Sequence, residues 1–453
     1  MRNDNMKMQN DDPNKNTDNK PWMYLVVVVI LIGFAICAYS ITRVDSINKE
    51  QNDKNLANSS ISVTPSTQLS TNTTISPSNS VVTPYPDVTG LPTITKLPSP
   101  TLTQAPGSNP TDEAVNVNAM RTPTVVKGVY VPAGTAGSGK IDDLMTLAAS
   151  TEVNAFVIDV KGDNGRISYQ MNQEMVKKIG ANTHTIKDIK SLIKKLKSNK
   201  IYLIARIVAF KDPYLADKRH DFAIKNKDGT LYQDNNKQHW VNPYNKEVWK
   251  YLVGVASQAA KDGFDEIQFD YIRFSTGEAM KKVDFGEAAK HKSKEQIITE
   301  FTKYACEKLH PLGVYVSADV YGAIINSAID SSIVGQNYQS MARYLDYICP
   351  MIYPSHFGEG NYGIKYPDTK PYDLIYKVLT KSEEKLNQLP NGTRRAGVRP
   401  WLQDFTANWI THHIEYGPDE VRAQINGVYD AGYGEWMLWN SACSYSSSGL
   451  LKN

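Results

Sequence analysis

Apolar and polar residues follow two alternating patterns from residue 124 onward, one with the period of a β-strand and one with that of a helix. The strand-like runs are 125–133, 155–161, 201–210, 266–274, 313–322, 347–354, 397–405 and 435–440. The helical segments are 140–151, 185–198, 246–262, 294–309, 372–387 and 418–431, with a short one at 336–344. Eight strands that alternate with helices predict an α/β fold, a parallel (β/α)8 or TIM barrel. An open doubly wound sheet is the alternative, although no Gly-x-Gly-x-x-Gly motif follows the first strand.

The fourth predicted strand, 266–274, combines a buried strand with polar residues near its end. Gln268 and Asp270 share one face, whereas Ile267 and Phe269 lie on the opposite, apolar face. In a barrel the apolar face packs against the helices, and active sites lie at the C-terminal ends of the strands. We therefore expect Asp270 to point into the mouth of the barrel.

The same alternation directs Asp319 of the fifth predicted strand inward, next to Asp270. Two neighbouring carboxyl groups suit glycosidic bond cleavage, in which one attacks or activates water and the other protonates the leaving oxygen. Their proximity is also expected to raise the pKa of one of them, which keeps a proton available. The structural alternative is that Asp270 pairs with Arg206 or Arg273 and only holds the barrel together.

Other polar and aromatic residues cluster near the predicted strand ends, where aromatic faces can pack against sugar rings and polar groups can bind hydroxyls. The predicted substrate-binding residues are Tyr130, Asp159, Lys161, Arg206, Trp240, Tyr271, Arg273, Tyr321, Tyr353, His356, Trp401, Gln403, Asp404, Trp439 and Asn440. Asp404 falls on the wrong face unless the seventh strand ends at Gln403. Trp240 lies in a long insertion, 211–245, with a predicted hairpin turn at 227–229. Asp265, Glu266, Asp346 and Glu435 begin their strands and are predicted to cap or pair at the opposite end.

The first 123 residues have a different composition and predict a membrane-anchored protein. Residues 1–21 are polar and predicted to be disordered, and 22–42 contain no Asp, Glu, Lys or Arg, enough to cross a bilayer core of about 30 Å. Of the 56 residues from 55 to 110, 30 are Ser, Thr or Pro, so 43–123 is predicted to be a disordered linker. We expect a cytoplasmic N-terminus and an extracellular domain at 124–453. Secretion after signal cleavage is the alternative.

Composition and motifs argue against several other classes of protein. The net charge of +3 is too small to indicate binding to nucleic acid. Four scattered cysteines without a Cys-x-x-Cys pair predict neither a disulfide framework nor a zinc site. The chain has no Gly-x-Ser-x-Gly, His-Glu-x-x-His or P-loop motif, which disfavours serine hydrolases, zinc proteases and NTPases. We expect no cofactor and no metal at the site.

Four segments together resemble the putative glycosyl hydrolase domain family: KGVY at 127–130, VIDVK at 157–161, FDEIQFDYIRF at 264–274 and CPMIYP at 349–354. The resemblance spans about residues 127–440 and implies a bacterial TIM barrel, often behind a membrane anchor. In the more distantly similar α-amylase-like clan, an Asp nucleophile ends the fourth strand and the acid ends the fifth, which matches Asp270 and Asp319. The clan's acid is Glu, whereas Asp319 is one methylene shorter.

These observations favour a surface-anchored glycoside hydrolase that acts on an extracellular or cell-wall polysaccharide. Asp270 is the expected nucleophile and Asp319 the general acid/base, with Arg206 and Arg273 orienting carboxylates. A carboxyl separation of about 5–5.5 Å would predict a retaining mechanism, and about 6.5–9.5 Å an inverting one. The alternative is a non-catalytic polysaccharide-binding barrel that has kept the aromatic cleft and lost the acid. A membrane-anchored scaffold for cell-envelope proteins is a third hypothesis.

Overall fold

The computed structural model describes residues 124–451, which form a closed barrel of eight parallel strands. The strands are β1 (Lys127–Val131), β2 (Ala155–Lys161), β3 (Tyr202–Val208), β4 (Glu266–Asp270), β5 (Tyr315–Tyr321), β6 (Tyr347–Met351), β7 (Trp401–Gln403) and β8 (Trp436–Trp439). Each strand pairs with the next in the chain, and β8 pairs with β1 to close the barrel. The predicted parallel barrel and its eight strands are confirmed.

Seven helices lie between successive strands and cover the barrel. They are α1 (Ile141–Ser150), α2 (Ile189–Ser198), α3 (Lys246–Asp262), α4 (Lys294–Leu309), α5 (Tyr338–Ala342), α6 (Pro371–Asn387) and α7 (Pro418–Asp430). Five further short α-helices occur in the described residues, at Ala133–Ala136, Glu174–Ile179, Pro213–Lys218, Ala288–His291 and Ala328–Val334. In α3, the side chain of Asn245 accepts a hydrogen bond from the N–H of Glu247, and Gly263 ends the helix with a left-handed φ of 117°. The predicted helices are thus present with small changes at their ends.

Two predicted strands are shorter than expected, for identifiable backbone reasons. The predicted run 266–274 ends as a strand at Asp270, because Tyr271 has a left-handed φ of 49° and turns the chain away. The predicted run 397–405 is divided into Gly397–Val398 and Trp401–Gln403, and Pro400 between them has no N–H to donate. Since β7 ends at Gln403, the alternation argument no longer applies to Asp404.

The long insertion, 211–245, is fastened to the loop that follows β4. Lys225–Asn226 pairs in antiparallel fashion with Val283–Asp284, and Lys225 also bridges to Leu231 across the predicted turn. Gly229 in this turn has a positive φ of 84°, so the predicted hairpin is confirmed. The insertion and the β4 loop therefore form one connected wall beside the barrel mouth.

A buried ion pair lies inside the barrel near the starts of the strands. Nη1 of Arg399 is 2.8 and 2.9 Å from the two carboxylate oxygens of Glu266. Ser317 and Tyr202 donate hydrogen bonds of 2.5 and 3.1 Å to the same carboxylate. Glu435 lies 3.4 Å from Nε of Arg399. Acidic residues at the strand starts were predicted to cap or pair, and this prediction is confirmed for Glu266 and Glu435, which both pair with Arg399.

The predicted cytoplasmic tail, membrane anchor and linker (1–21, 22–42 and 43–123) lie outside the described residues. Within 124–451, none of the helices combines the length and the apolar character needed to cross a bilayer. The described part of the chain consists of the barrel together with its loops and covering helices.

We expect Glu266→Gln to lower the free energy of unfolding by roughly 3–5 kcal/mol, because it leaves a buried guanidinium without its main counter-charge. Urea denaturation of the full-length protein, followed by tryptophan fluorescence, would measure the loss. Asp142→Asn is the control: this exposed carboxylate pairs with Lys195 at the surface, and its loss should cost less than about 1 kcal/mol. Equal effects of the two substitutions would contradict the assignment.

Candidate active site

Charged side chains from four consecutive strands converge inside the mouth of the barrel. Asp159 lies near the end of β2, Arg206 on β3, Asp270 at the end of β4 and Asp319 on β5. All four are buried. These four side chains point inward because successive residues of a strand face opposite sides of the sheet. Phe269, the neighbour of Asp270, accordingly points outward and packs against the helix α4. The mouth therefore holds three carboxyl groups and one guanidinium with very little contact with solvent.

The guanidinium of Arg206 joins the carboxylates of three different segments. Its Nη1 is 2.7 Å from Oδ1 of Asp159, and its Nε and Nη2 are 3.0 and 2.6 Å from Oδ2 of Asp270. Nη2 is also 3.0 Å from Oδ1 of Asp163, in the loop after β2. The N–H of Tyr271 donates to Oδ1 of Asp270 at 2.6 Å. Both oxygens of Asp270 thus accept hydrogen bonds that suit a charged carboxylate.

Asp319 lies in a different environment from Asp270. Burial raises the pKa of Asp319 well above its usual range, and the neighbouring charge of Asp270 raises it further. The indole N–H of Trp401 donates to Oδ1 of Asp319 at 2.7 Å, which acts in the opposite direction and lowers the pKa. Asp319 can therefore keep a proton under conditions in which Asp270 is ion-paired with Arg206.

Asp159 forms an ion pair with Arg206 and is itself hydrogen-bonded by Tyr130. The hydroxyl of Tyr130 donates to Oδ2 of Asp159 at 2.6 Å, while Oδ1 accepts from Arg206. The ring of Tyr130 stacks on Trp439, with centroids 4.1 Å apart and planes 21° apart. The guanidinium carbon of Arg206 lies 5.7 and 5.5 Å from these two ring centroids. The predicted residues Tyr130, Asp159, Arg206 and Trp439 are thus brought together.

A second aromatic group surrounds Arg273 on the side of the insertion. Its guanidinium carbon lies 5.1, 4.9 and 4.7 Å from the ring centroids of Trp240, Tyr271 and Tyr321. Tyr353 belongs to the same buried cluster as Tyr130 and Trp401, and burial together with the carboxylates of Asp319 and Asp270 raises the pKa of its hydroxyl. The structure therefore puts all five of these predicted residues around the mouth.

Lys161 is not brought to the mouth, in contrast to the prediction that it contacts substrate. Its ammonium is completely buried, 2.9 Å from Oδ2 of Asp212 and 2.7 Å from the carbonyl oxygen of Val208. The register of β2 shifts between Asp159 and Lys161, so the two side chains do not follow one continuous alternation. Lys161 serves as an internal ion-pair partner instead.

Three further predicted residues hold loops together through their polar groups. The carboxylate of Asp404 accepts from the N–H and hydroxyl of Ser446, at 2.9 and 2.8 Å. Oε1 of Gln403 accepts from the N–H and hydroxyl of Ser355, and its Nε2 donates to Asp368 and to the carbonyl of Phe405. Asn440 donates to the carbonyl of Asp404 and accepts from the N–H of Ala442. Their amides and carboxylate are therefore occupied by protein partners.

His356 lies beside the aromatic side of the mouth. Its ring centroid is 5.0 Å from that of Tyr353, and its Nδ1 is 3.3 Å from the hydroxyl of Ser355. Burial lowers the pKa of His356 to about 4, so its imidazole is neutral at pH 7. It can therefore offer a hydrogen bond but not a positive charge.

Sequence reasoning did not include Asp163 and Lys211 among the site residues. Asp163 contacts Arg206, and the ammonium of Lys211 lies 3.5 Å from Oδ2 of Asp163 and 3.5 Å from the hydroxyl of Tyr271. Both residues follow the end of a strand, β2 and β3 respectively. Their position just beyond the ends of predicted strands was the only sign in the sequence that they lie near the mouth. Strand alternation cannot predict where a side chain points beyond the end of its strand.

The carboxylates of the mouth are neutralised by protein cations. Arg206 lies among Asp159, Asp163 and Asp270 and donates to each of them, so it occupies the position that a cation would take. Among residues 124–451, no group of three or more His, Cys, Asp or Glu side chains is arranged to hold a metal ion.

The chain was compared with curated proteins, with solved structures and with protein-family models. No curated protein matches the chain significantly. Among solved structures, a hypothetical protein from Ruminiclostridium thermocellum ATCC 27405 is 40% identical over a match covering 42% of this chain and 97% of that chain, with a TM-score of 0.40. The PgaB (BpsB) glycoside hydrolase domain from Bordetella bronchiseptica is 10% identical, with 71% of this chain and 95% of that chain covered and a TM-score of 0.52. At this identity, the second match shows the barrel fold alone.

The family expected from the sequence is confirmed by a match that spans most of the barrel. The model of that family, described as "Putative glycosyl hydrolase domain", matches residues 128–445. This range runs from β1 to beyond β8 and includes all the mouth residues. The chain belongs to the Putative glycosyl hydrolase domain family.

Proposed function

We propose that the protein is a surface-anchored glycoside hydrolase that cleaves an extracellular or cell-wall polysaccharide with a pair of carboxyl groups. The observation that carries this proposal is the contrast between Asp270 and Asp319 on adjacent strands. Asp270 forms an ion pair with Arg206, whereas burial and the charge of Asp270 raise the pKa of Asp319. Two carboxyl groups in such different environments can divide the roles of nucleophile and acid.

The proposed reaction begins with transfer of the Asp319 proton to the glycosidic oxygen, as the bond from this oxygen to the anomeric carbon breaks. Asp270 either attacks the anomeric carbon, forming a glycosyl ester that water then hydrolyses with Asp319 as the base, or removes a proton from a water that attacks this carbon. Arg206 fixes the carboxylate of Asp270 through two hydrogen bonds to Oδ2. The indole N–H of Trp401 stabilises the negative charge that Asp319 acquires when it gives up its proton.

The substrate class and the location are supported by the aromatic groups of the mouth and by the N-terminal sequence. Rings such as Trp439 and Tyr321 at the mouth suit the C–H faces of sugars. The uncharged segment 22–42 and the Ser/Thr/Pro-rich segment 55–110 suit an anchor followed by a stalk. The proposed arrangement has a cytoplasmic N-terminus and a barrel held outside the cell, near wall or capsule polysaccharides.

Asp270→Asn should abolish hydrolysis, with a loss of at least about 10²–10⁴-fold, while the protein still folds and binds sugar. The full-length protein would be incubated with a panel of bacterial wall and capsule polysaccharides, and both new reducing ends and retained ligand would be measured. Asp142→Asn, on the outer surface of α1, is the matched control and should keep full activity. Polysaccharide binding without any cleavage, unchanged in Asp270→Asn, would favour a non-catalytic binding barrel instead.

When kcat/KM is plotted against pH, Trp401→Phe should shift the decline on the alkaline side to higher pH. The hydrogen bond from Trp401 lowers the pKa of Asp319, so its removal raises that pKa and keeps the acid protonated to higher pH. We also expect kcat to fall by roughly 10–100-fold, because a hydrogen bond to a charged group is lost. An alkaline limb that stays in place or moves to lower pH would exclude Asp319 as the acid that Trp401 contacts.

Asp319→Asn should make the protein more stable than the wild type at neutral pH. The pKa of Asp319 is higher in the folded state than in the unfolded state. The contribution of Asp319 to the free energy of unfolding is therefore fully present below its pKa in the unfolded state, and it is lost as the pH rises through its pKa in the folded state. The gain should be about 1.4 kcal/mol for each pH unit between these two pKa values. Urea denaturation from pH 3.5 to 8 would test it, and a variant less stable than the wild type at pH 7 would refute it.

A further inference from the structure

Two Lys–Asp pairs connect the end of β2 and the loop that follows it with the loop after β3, and the two pairs differ in their burial. In the first pair, Lys161 and Asp212 are 2.9 Å apart and both side chains are 0% exposed. In the second pair, Asp163 and Lys211 are 3.5 Å apart, and their side chains are 47% and 15% exposed. The first pair is closed and internal, whereas the second is open to the mouth.

The closed pair gives both loops a fixed position. Oδ1 of Asp212 accepts from the N–H of Leu215 and begins the helix Pro213–Lys218, while its Oδ2 faces Lys161. Gly165 has a φ of 77° and lies so close to Asp212 that a Cβ atom there would be 2.1 Å from Oδ1. The loops are therefore joined tightly without any contribution from the open pair.

The open pair retains hydrogen-bonding capacity that faces the reacting carboxylate. Oδ1 of Asp163 accepts from Arg206 at 3.0 Å, and Lys211 lies 3.5 Å from both Oδ2 of Asp163 and the hydroxyl of Tyr271. These two contacts of Lys211 are longer than the roughly 2.7–2.9 Å of a strong charge-assisted hydrogen bond. Nη2 of Arg206 donates to both Oδ1 of Asp163 and Oδ2 of Asp270, so a group bound here lies next to the proposed nucleophile.

We propose that Asp163 and Lys211 bind two adjacent hydroxyl groups of a neutral sugar ring in the subsite beside Asp270. One hydroxyl donates to the carboxylate of Asp163, and the oxygen of the next accepts from the ammonium of Lys211. The more exposed member of the pair is the carboxylate, so the outermost charge is negative and disfavours an anionic substituent on this ring. This inference rests on the proposed hydrolase function and specifies its substrate as neutral at this subsite.

The test uses the full-length Asp270→Asn protein, which cannot turn over a bound substrate. Its Kd would be measured by calorimetry for the neutral tetrasaccharides of cellulose, xylan, chitin and starch, and for the anionic tetragalacturonate. Adding Asp163→Asn or Lys211→Met should raise the Kd of the tightest neutral ligand about tenfold or more. Asp217→Asn, in the helix Pro213–Lys218 and with a carboxylate 56% exposed, is the control and should leave Kd unchanged.

Lys211→Met should leave the midpoint of thermal unfolding nearly unchanged because the closed pair holds the loops, and Asp163→Asn should do so because it keeps an amide oxygen that can accept from Arg206. Unchanged Kd values in both variants, tighter binding of tetragalacturonate than of every neutral ligand, or no binding of any neutral ligand would overturn the inference. Hydrolysis is scored separately with Asp270 intact. Cleavage that disappears in Asp270→Asn but shows an unchanged KM in Asp163→Asn would refute this subsite alone, whereas sugar binding without cleavage would refute the hydrolase alone.

Discussion

The buried guanidinium of Arg206 is the interaction on which the barrel mouth depends. Removing several carboxylates from water is costly, and it becomes possible here because one planar cation donates to Asp159, Asp163 and Asp270. The same contacts connect β2, β3 and β4 at their C-terminal ends. Arg206 therefore both offsets the negative charge of the carboxylates and fixes their positions relative to one another.

The barrel interior contains two ionic layers separated by a neutral one. Arg399 and Glu266 form the layer near the strand starts, where neither side chain reaches solvent. Between the layers, the amide of Gln268 donates to the sulfur atoms of Cys349 and Met437, at 3.5 and 3.6 Å. The lower layer holds the strands together, whereas the upper one leaves part of its charge accessible. This division explains why the charge that solvent can reach inside the barrel lies at one end only.

Much of the fold and the central part of the site could be predicted from sequence, because both depend on strand periodicity. Asp270 and Asp319 were placed correctly on the inner face, since β4 and β5 alternate regularly. Lys161 was misplaced because the register shift in β2 leaves no mark in the sequence. Asp163 and Lys211 lie beyond the strand ends, where their direction depends on long-range contacts such as that between Gly165 and Asp212.

The pairing of Lys225–Asn226 with Val283–Asp284 has a consequence for ligand binding. Because this small sheet joins the loops after β3 and β4, the wall that carries Trp240 and Tyr271 is ordered before any ligand arrives. Little conformational entropy is then lost on that side when a sugar binds. The mouth is thus rigid on the side that carries Trp240 and Tyr271, and the shape of a ligand must fit this wall as it stands.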